Sequence, residues 1–310
     1  MFEAKHVNIG HLSTFYHTSF ILMDWLEKAG MQAKWKLFAS GPDIVKAFAN
    51  AEIDIGYIGL PPAIIGIDRD VPIICVAGGH VEGTVLIARK EYRTLPELKD
   101  IKTVLQQFEG KVIGSPPRGS IHDVIINNMI TDTGLNIEVK NYPWTDFVLE
   151  ALVDGEIDAA VGTPSLAVAS ARACEAKIII QPHSLWPDNP SYGIVIRKEL
   201  MKHPNVILKF LELHEKACNF IRKEPMQAAR MVSKLTGIVD EDFVADAYGI
   251  SPKYCAALSS GFVSSTMAFV PVLYRLKYIS RKISENEIFE YGFIRQVHKE
   301  PPHYDSYIIG

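Results

Sequence analysis

The stretch VKAFANAEIDIGYIGLP, residues 45–61, returns further along the chain as LEALVDGEIDAAVGTP, residues 149–164. Val45, Ala47, Phe48 and Ala51 fall opposite Leu149, Ala151, Leu152 and Gly155. The tripeptide Glu-Ile-Asp is identical in both copies, and a one-residue slip sets Gly59 over Gly162. The apolar spacing before each Glu-Ile-Asp is that of a helix, and the uncharged run after it suits a parallel strand covered on both faces. Each copy therefore reads as helix, tight turn, buried strand and Gly/Pro loop. Two such units predict two similar α/β lobes. Ligands of open α/β sheets sit beyond the carboxyl ends of the strands, so loops 59–61 and 162–164 should face each other across a cleft.

Outward from the first copy, the pattern predicts a strand at 6–11, a loop at 12–17 and a helix at 18–29 closed by Gly30. A strand at 34–38 follows, and Ser40-Gly41-Pro42-Asp43 opens a helix with proline in its first turn. A helix at 62–68 and a strand at 71–77 complete an alternating set with a mostly parallel sheet. The strand at 84–89 is expected to cross to a second lobe. That lobe holds a strand at 111–114, a loop at 115–119, a helix at 120–132 capped by Ser120, a strand at 137–142, the second copy, and a strand at 177–181. A strand at 192–197 is the expected return.

The predicted fold is thus α/β and two-lobed, each lobe a mainly parallel sheet flanked by helices, with two hinge crossings. Residues 1–88 and 194–310 are assigned to lobe I, with the C-terminal helices, and 89–193 to lobe II. Helices are expected at 204–223, 225–235, 240–249 and 263–279, and the proline-bearing tail from residue 301 is read as having little fixed structure.

A chain of 310 residues has room for about two domains, and 48% hydrophobic with 22% charged residues is ordinary for a soluble globular protein. A net charge of -4 without blocks of like charge gives no support to non-specific nucleic-acid binding. The basic, apolar-interleaved stretch 275–282, RLKYISRK, reads as the solvated face of a helix. Cys75, Cys174, Cys218 and Cys255 are isolated, with no histidine at ligand spacing, so buried thiols are expected rather than a disulfide or a zinc site. No apolar run is long enough to span a bilayer.

Taken together, GHLSTFYHTSFIL (10–22), EIDIGYIGLPPAI (52–64), TVLIARKE (84–91), GKVIGSPPRGSIHDVI (110–125), EALVDGEIDAAVGTPSLA (150–167) and SYGIVIRKEL (191–200) resemble a known family. The chain resembles the type II periplasmic solute-binding proteins of ABC importers, in the subgroup serving nitrate, sulfonates, taurine and thiamin-pyrimidine precursors. The resemblance runs from about residue 6 to 250 and lies in the order and spacing of these elements. It implies a small-molecule ligand, an ABC permease as partner, no cofactor, and contact with a membrane only through the permease or a lost anchor. It also implies a periplasmic or extracellular location if a leader has been removed, and a cytoplasmic one otherwise. The subgroup includes a pyrimidine synthase with a cysteine cluster and a lysine that holds pyridoxal phosphate. This sequence has no cysteine cluster and no lysine in the first loop.

The expected ligand contacts are Ser13, Thr14, Tyr16 and His17 in the loop after the first strand; Ser40 and Gly41; Gly59 and Pro61; Arg118, Gly119 and Ser120; Trp144; and Thr163. Arg118 beside a helix N-terminus capped by Ser120 is the strongest anion-site candidate, because free amides, the helix dipole and a guanidinium all favour carboxylate or sulfonate. Trp144 is a candidate to stack on a ring. Trp186 is a candidate for the cleft mouth, and Gly78-Gly79-His80 for a further ligand loop. No catalytic or metal constellation is evident: there is no G-x-S-x-G elbow and no H-E-x-x-H. The expected function is binding of a small organic anion, sulfonate- or carboxylate-bearing, with an apolar or aromatic body met by Tyr16, His17 and Trp144, and with a pyrimidine second. The alternative is a cytosolic enzyme of cofactor biosynthesis with His17 or His122 as proton-transfer group. A ligand-sensing effector domain ranks third, since no basic patch or helix-turn-helix adjoins the lobes.

Overall fold

In the computed structural model, which describes residues 6–303, the chain forms two five-stranded sheets with one shared topology. It opens with β1 (Val7–Leu12), α1 (Ser19–Lys28), β2 (Ala33–Phe38), α2 (Gly41–Ala49), β3 (Ile55–Ile58), α3 (Leu60–Asp68) and β4 (Ile73–Val81). Then come β5 (Val85–Ala88), α4 (Leu95–Leu98), α5 (Ile101–Gln106), β6 (Val112–Ser115), α6 (Ile121–Thr131), β7 (Glu138–Asn141), α7 (Thr145–Asp154), β8 (Ala159–Gly162), α8 (Pro164–Cys174), β9 (Lys177–Ile180) and α9 (Pro182–Leu185). The return is β10 (Pro190–Arg197), followed by α10 (Pro204–Lys223), α11 (Pro225–Thr236), α12 (Glu241–Ile250), α13 (Ser260–Arg275), α14 (Glu285–Ile288) and α15 (Ile294–Val297).

The sheet orders are β2-β1-β3-β10-β4 and β7-β6-β8-β5-β9. In each, four strands run one way, and the crossing strand, β10 or β5, runs antiparallel between two of them. The expected division put residues up to 88 in lobe I. The ladder instead pairs Leu86 with Val161 and Ile180, so the change of sheet falls at residues 82–84. An apolar strand carries no local mark of which sheet it joins.

The repeated sequence is a repeated structure. Ala51 and Gly155, aligned in the two copies, both take the left-handed backbone (φ 55° and 76°) that ends α2 and α7. Asp54 accepts from the amide of Asn8 at 3.0 Å, as Asp158 accepts from that of Val112 at 3.1 Å. Each carboxylate thus fixes the start of the inner strand to its neighbour, at the end of the sheet away from the cleft. Ile53 and Ile157 fill the space that a side chain at Gly10 or Gly114 would need, approaching a built Cβ to 2.8 and 2.3 Å. Glycine there lets one apolar side chain cross the neighbouring strand at close range.

Parts of the chain depart from expectation. Residues 164–174 form α8, whose run of small residues hides its helical period. The helix expected at 263–279 spans Ser260–Arg275, because Ser259 caps it by accepting from the amide of Phe262 at 3.1 Å. The C-terminal helices do not belong to lobe I alone: α13 packs on both α3 and α6, and α12 on both α8 and α11. Finally, the tail is fixed as far as residue 303, where the His303 amide donates to Cys255 Sγ at 3.4 Å; the rest of it lies outside the described residues.

Candidate functional site

The carboxyl ends of β1, β2, β3, β6, β7 and β8 all point at one small cavity between the lobes. From the first lobe, Ser13, Thr14, Tyr16 and His17 line it from the loop after β1, Ser40 and Gly41 from the start of α2, and Gly59 and Pro62 from the start of α3. From the second, Pro116, Ser120, Ile121 and His122 line it around the start of α6, with Thr145 at α7 and Thr163 at α8; Ser191 comes from β10. Its volume is about 50 Å³. One water needs ~10–15 Å³ on that measure, so the lobes as they stand admit a group of a few heavy atoms.

The same local chemistry builds both walls. Ser40, Ser120 and Thr163 are helix N-caps whose hydroxyl oxygens accept from the amides of Asp43 (3.4 Å), Asp123 (3.3 Å) and Leu166 (3.2 Å). Their helices therefore start at the cavity with their positive ends toward it. The amides of Gly41, Ile121 and His122, in the first turns of α2 and α6, make no hydrogen bond to the chain among the described residues. No Lys, Arg, Asp or Glu lines the cavity. A negative charge placed there would meet neutral donors and helix N-termini from both lobes.

Two imidazoles complete the lining. Burial, with His80, His11 and His122 nearby, holds His17 well below the usual histidine pKa, and its Nδ1 is buried without a partner. Burial pushes His122 down to about 4, and its Nδ1 is hydrogen-bonded to Thr84 Oγ1 at 3.0 Å. Both rings are neutral near pH 7, each able to give one N–H or accept one, but not to offer a charge.

Of the residues expected from sequence, Ser13, Thr14, Tyr16, His17, Ser40, Gly41, Gly59, Ser120 and Thr163 come together at this cavity. Pro61 is buried in α3, and its neighbour Pro62 takes the wall. Trp144 stands beside the cavity rather than in it, with its indole N–H on Ser13 Oγ. Trp186 stacks on Phe269 of α13 at 3.9 Å, and Gly78, Gly79 and His80 are strand residues of β4, with His80 Nε2 bonded to the carbonyl of Ser251 at 2.6 Å.

Arg118 and Gly119 are the main correction. They line a separate cavity of about 490 Å³ with Lys46, Arg69, Lys277 and Tyr278, and the Arg118 guanidinium lies over the Tyr278 ring at 5.4 Å. The cause is Asp123. Its buried carboxylate accepts from the Gly119 amide (2.8 Å), from Asn127 and Asn141 (both 2.9 Å) and from the Tyr278 hydroxyl (2.6 Å). An internal anion thus already occupies the outer side of the 115–120 loop. Sequence reasoning also passed over Thr145 and Ser191, which carry no signal beyond a hydroxyl at a strand end.

A model of the NMT1-like family matches residues 2–237. A Bacillus subtilis protein named for binding aliphatic sulfonates is 22% identical over 282 residues, covering 89% of this chain and 82% of its own. Among solved structures, the ligand-binding component of an ABC-type import system from Staphylococcus aureus, with zinc bound, superposes with a TM-score of 0.78 at 15% identity, over 96% of this chain and 100% of that one. The alkanesulfonate-binding protein SsuA of Xanthomonas axonopodis pv. citri, bound to MOPS, gives 0.77 at 14% identity, over 93% and 99%. These likenesses agree with the fold built above: two lobes with a cleft between them.

Proposed function

Because this chain belongs to the NMT1-like family, we propose that it is the substrate-binding protein of an ABC-type importer, taking a small organic anion into the cleft between its lobes. The observation that carries this is the cavity lining: capped helix N-termini from both lobes, three hydroxyl caps, and no charged side chain. A cation would meet the positive ends of those helices, with neither a thiol nor a carboxylate to hold it. A sulfonate or carboxylate would accept from the Ser120 and Thr163 hydroxyls and the open amides, while the Ser40 hydroxyl gives its proton to Asp43 at 2.6 Å. Leu12, Pro62 and Ile121 supply short apolar walls, so a compact tail fits better than an aromatic one.

An enzyme on this frame finds less support, since neither a lysine for a Schiff base nor a carboxylate to work with His17 or His122 lines the cavity. On the proposed reading the lobes divide at residues 82–84 and 188–190, and closure is a population shift, favoured because the ligand touches both lobes only when they are shut. The partner is a permease, which places the protein on the outer side of the membrane. Among the described residues no helix is long and apolar enough to cross one.

Calorimetric titration with methanesulfonate, ethanesulfonate, acetate and a neutral pyrimidine tests the reading, with each ligand recovered and identified afterwards. A sulfonate that binds, returns unchanged and loses about tenfold in affinity in Ser120→Ala is the expected result. Binding of the pyrimidine alone, or turnover of any ligand, overturns it.

A further inference from the structure

Away from the cleft, the fold gathers three side chains that the sequence keeps far apart. Cys255 follows α12, and its amide donates to the carbonyl of Gly79 in β4 at 3.1 Å. His298 directly follows α15, where its amide closes the helix on the carbonyl of Ile294 at 2.8 Å. His303 comes five residues later. One donor atom from each, the Cys255 thiol and one ring nitrogen of each histidine, lies within 4.8 Å of the other two. None of the three lines the cleft cavity.

The distances and the outer partners both have the form of a metal site. Cys255 Sγ is 4.0 Å from His298 Nε2 and 3.4 Å from His303 Nδ1. A tetrahedral zinc with Zn–S ~2.3 Å and Zn–N ~2.05 Å separates such a sulfur and nitrogen by about 3.6 Å. His303 turns its other nitrogen to a carboxylate, Nε2 lying 3.1 Å from Glu300 Oε2, and His298 Nδ1 lies 3.1 Å from Glu215 Oε2, at ion-pair distance without hydrogen-bond alignment. A carboxylate behind a ligating histidine fixes the tautomer and aims the lone pair of the inner nitrogen. Two imidazoles, one of them hydrogen-bonded from behind and the other with a carboxylate beside it, thus converge on one buried thiol.

We propose that Cys255, His298 and His303 bind zinc, with Glu215 and Glu300 orienting the imidazoles and a fourth position left for water or another ligand. A sulfur with two imidazoles suits a borderline-soft divalent ion rather than calcium or magnesium. Binding takes the thiol as thiolate, its proton passing to solvent, and changes no oxidation state. The site would join the C-terminal segment 294–303 to the segment 251–256 that runs along β4. That second segment carries Lys253, whose ammonium donates to Glu82 at 2.9 Å where the chain changes sheet.

The test uses the full chain, expressed without a histidine tag and purified without chelators. Mass spectrometry of the metal content should find an equimolar amount of zinc. Cobalt(II) added to the chelator-treated protein should give a thiolate-to-cobalt charge-transfer band in the near ultraviolet. Cys255→Ser should abolish that band, and Glu215→Gln should weaken cobalt affinity about 10- to 100-fold. Should Cys255→Ser fail to fold, His303→Ala, close to the end of the chain, decides the same question. Absence of both zinc and the cobalt band in the unaltered protein, or a band that survives the ligand substitutions, overturns the proposal. Sulfonate binding in the cleft is read separately and does not enter this outcome.

Discussion

Trp144, at the head of α7 in the second lobe, donates its indole N–H to the Ser13 hydroxyl of the first lobe at 3.3 Å. Ser13 lines the cavity and Trp144 stands beside it, so the bond ties the second lobe to the first at the edge of the proposed ligand site. Trp144→Phe keeps an aromatic ring and removes the donor. One neutral hydrogen bond is worth about 0.5–1.5 kcal/mol, so this variant should bind the ligand about two- to tenfold more weakly. Small-angle scattering should show a larger radius of gyration for the unliganded variant than for the parent. Unchanged affinity together with an unchanged radius would show that the bond does not hold the lobes together.

Arg118 gives the opposite expectation. Its guanidinium rests on Tyr278 and lines the other cavity, so Arg118→Ala should leave anion affinity within about twofold of the parent. Ser120, two residues on, should lose about tenfold. Titration of both variants with the same sulfonate separates an anion site at the helix cap from one at the arginine, and a large loss at Arg118 would restore the sequence-based assignment.

Acid should destabilise the protein before its carboxylates titrate. Burial holds His11, His80, His122 and His214 at a pKa of about 4, against 6.5 for a free imidazole, and holds His17 well below the free value too. The folded pKa values lie below the unfolded ones, so the unfolded chain takes up protons that the native chain refuses between pH 6.5 and 4. The contribution of these histidines to stability is then complete above pH 6.5 and falls as the pH drops through that window. At Glu82, burial acts to raise the carboxyl, but hydrogen bonds from Lys253, His183 and the Asp188 amide outweigh it and hold it below the usual glutamate value. The melting temperature should therefore fall between pH 6.5 and 5, and a flat profile across that interval would contradict neutral buried histidines.

The repeat made the lobes legible because a helix, a left-handed turn and a buried strand each leave a local mark: the apolar period, Ala51 or Gly155, and the uncharged run. The caps Ser40, Ser120 and Thr163 were legible for the same reason, since an N-cap is a short-range device. Side-chain direction was not. Nothing in SPPRGS reveals that Asp123, held by Gly119, Asn127, Asn141 and Tyr278, would occupy the outer face of that loop and turn Arg118 away. The strand at residues 85–88 is apolar throughout and would suit either sheet. Cys255 looked isolated because its histidine neighbours arrive from 43 and 48 residues further on, a separation that no spacing motif spans.

The placement of β10 sets an order of assembly during synthesis. Strands β5 to β9 lie within residues 85–180, so the second sheet is complete in sequence before β10 has been made. The first sheet is not: β10 fits between β3 and β4, and until residues 190–197 leave the ribosome those two strands present open edges. The second sheet, though later in sequence, is therefore the first to be complete in the growing chain. A nascent chain halted before residue 190 would carry one finished sheet and one split sheet with a gap the width of a strand, and that gap is where a stalled chain would meet chaperones or aggregate.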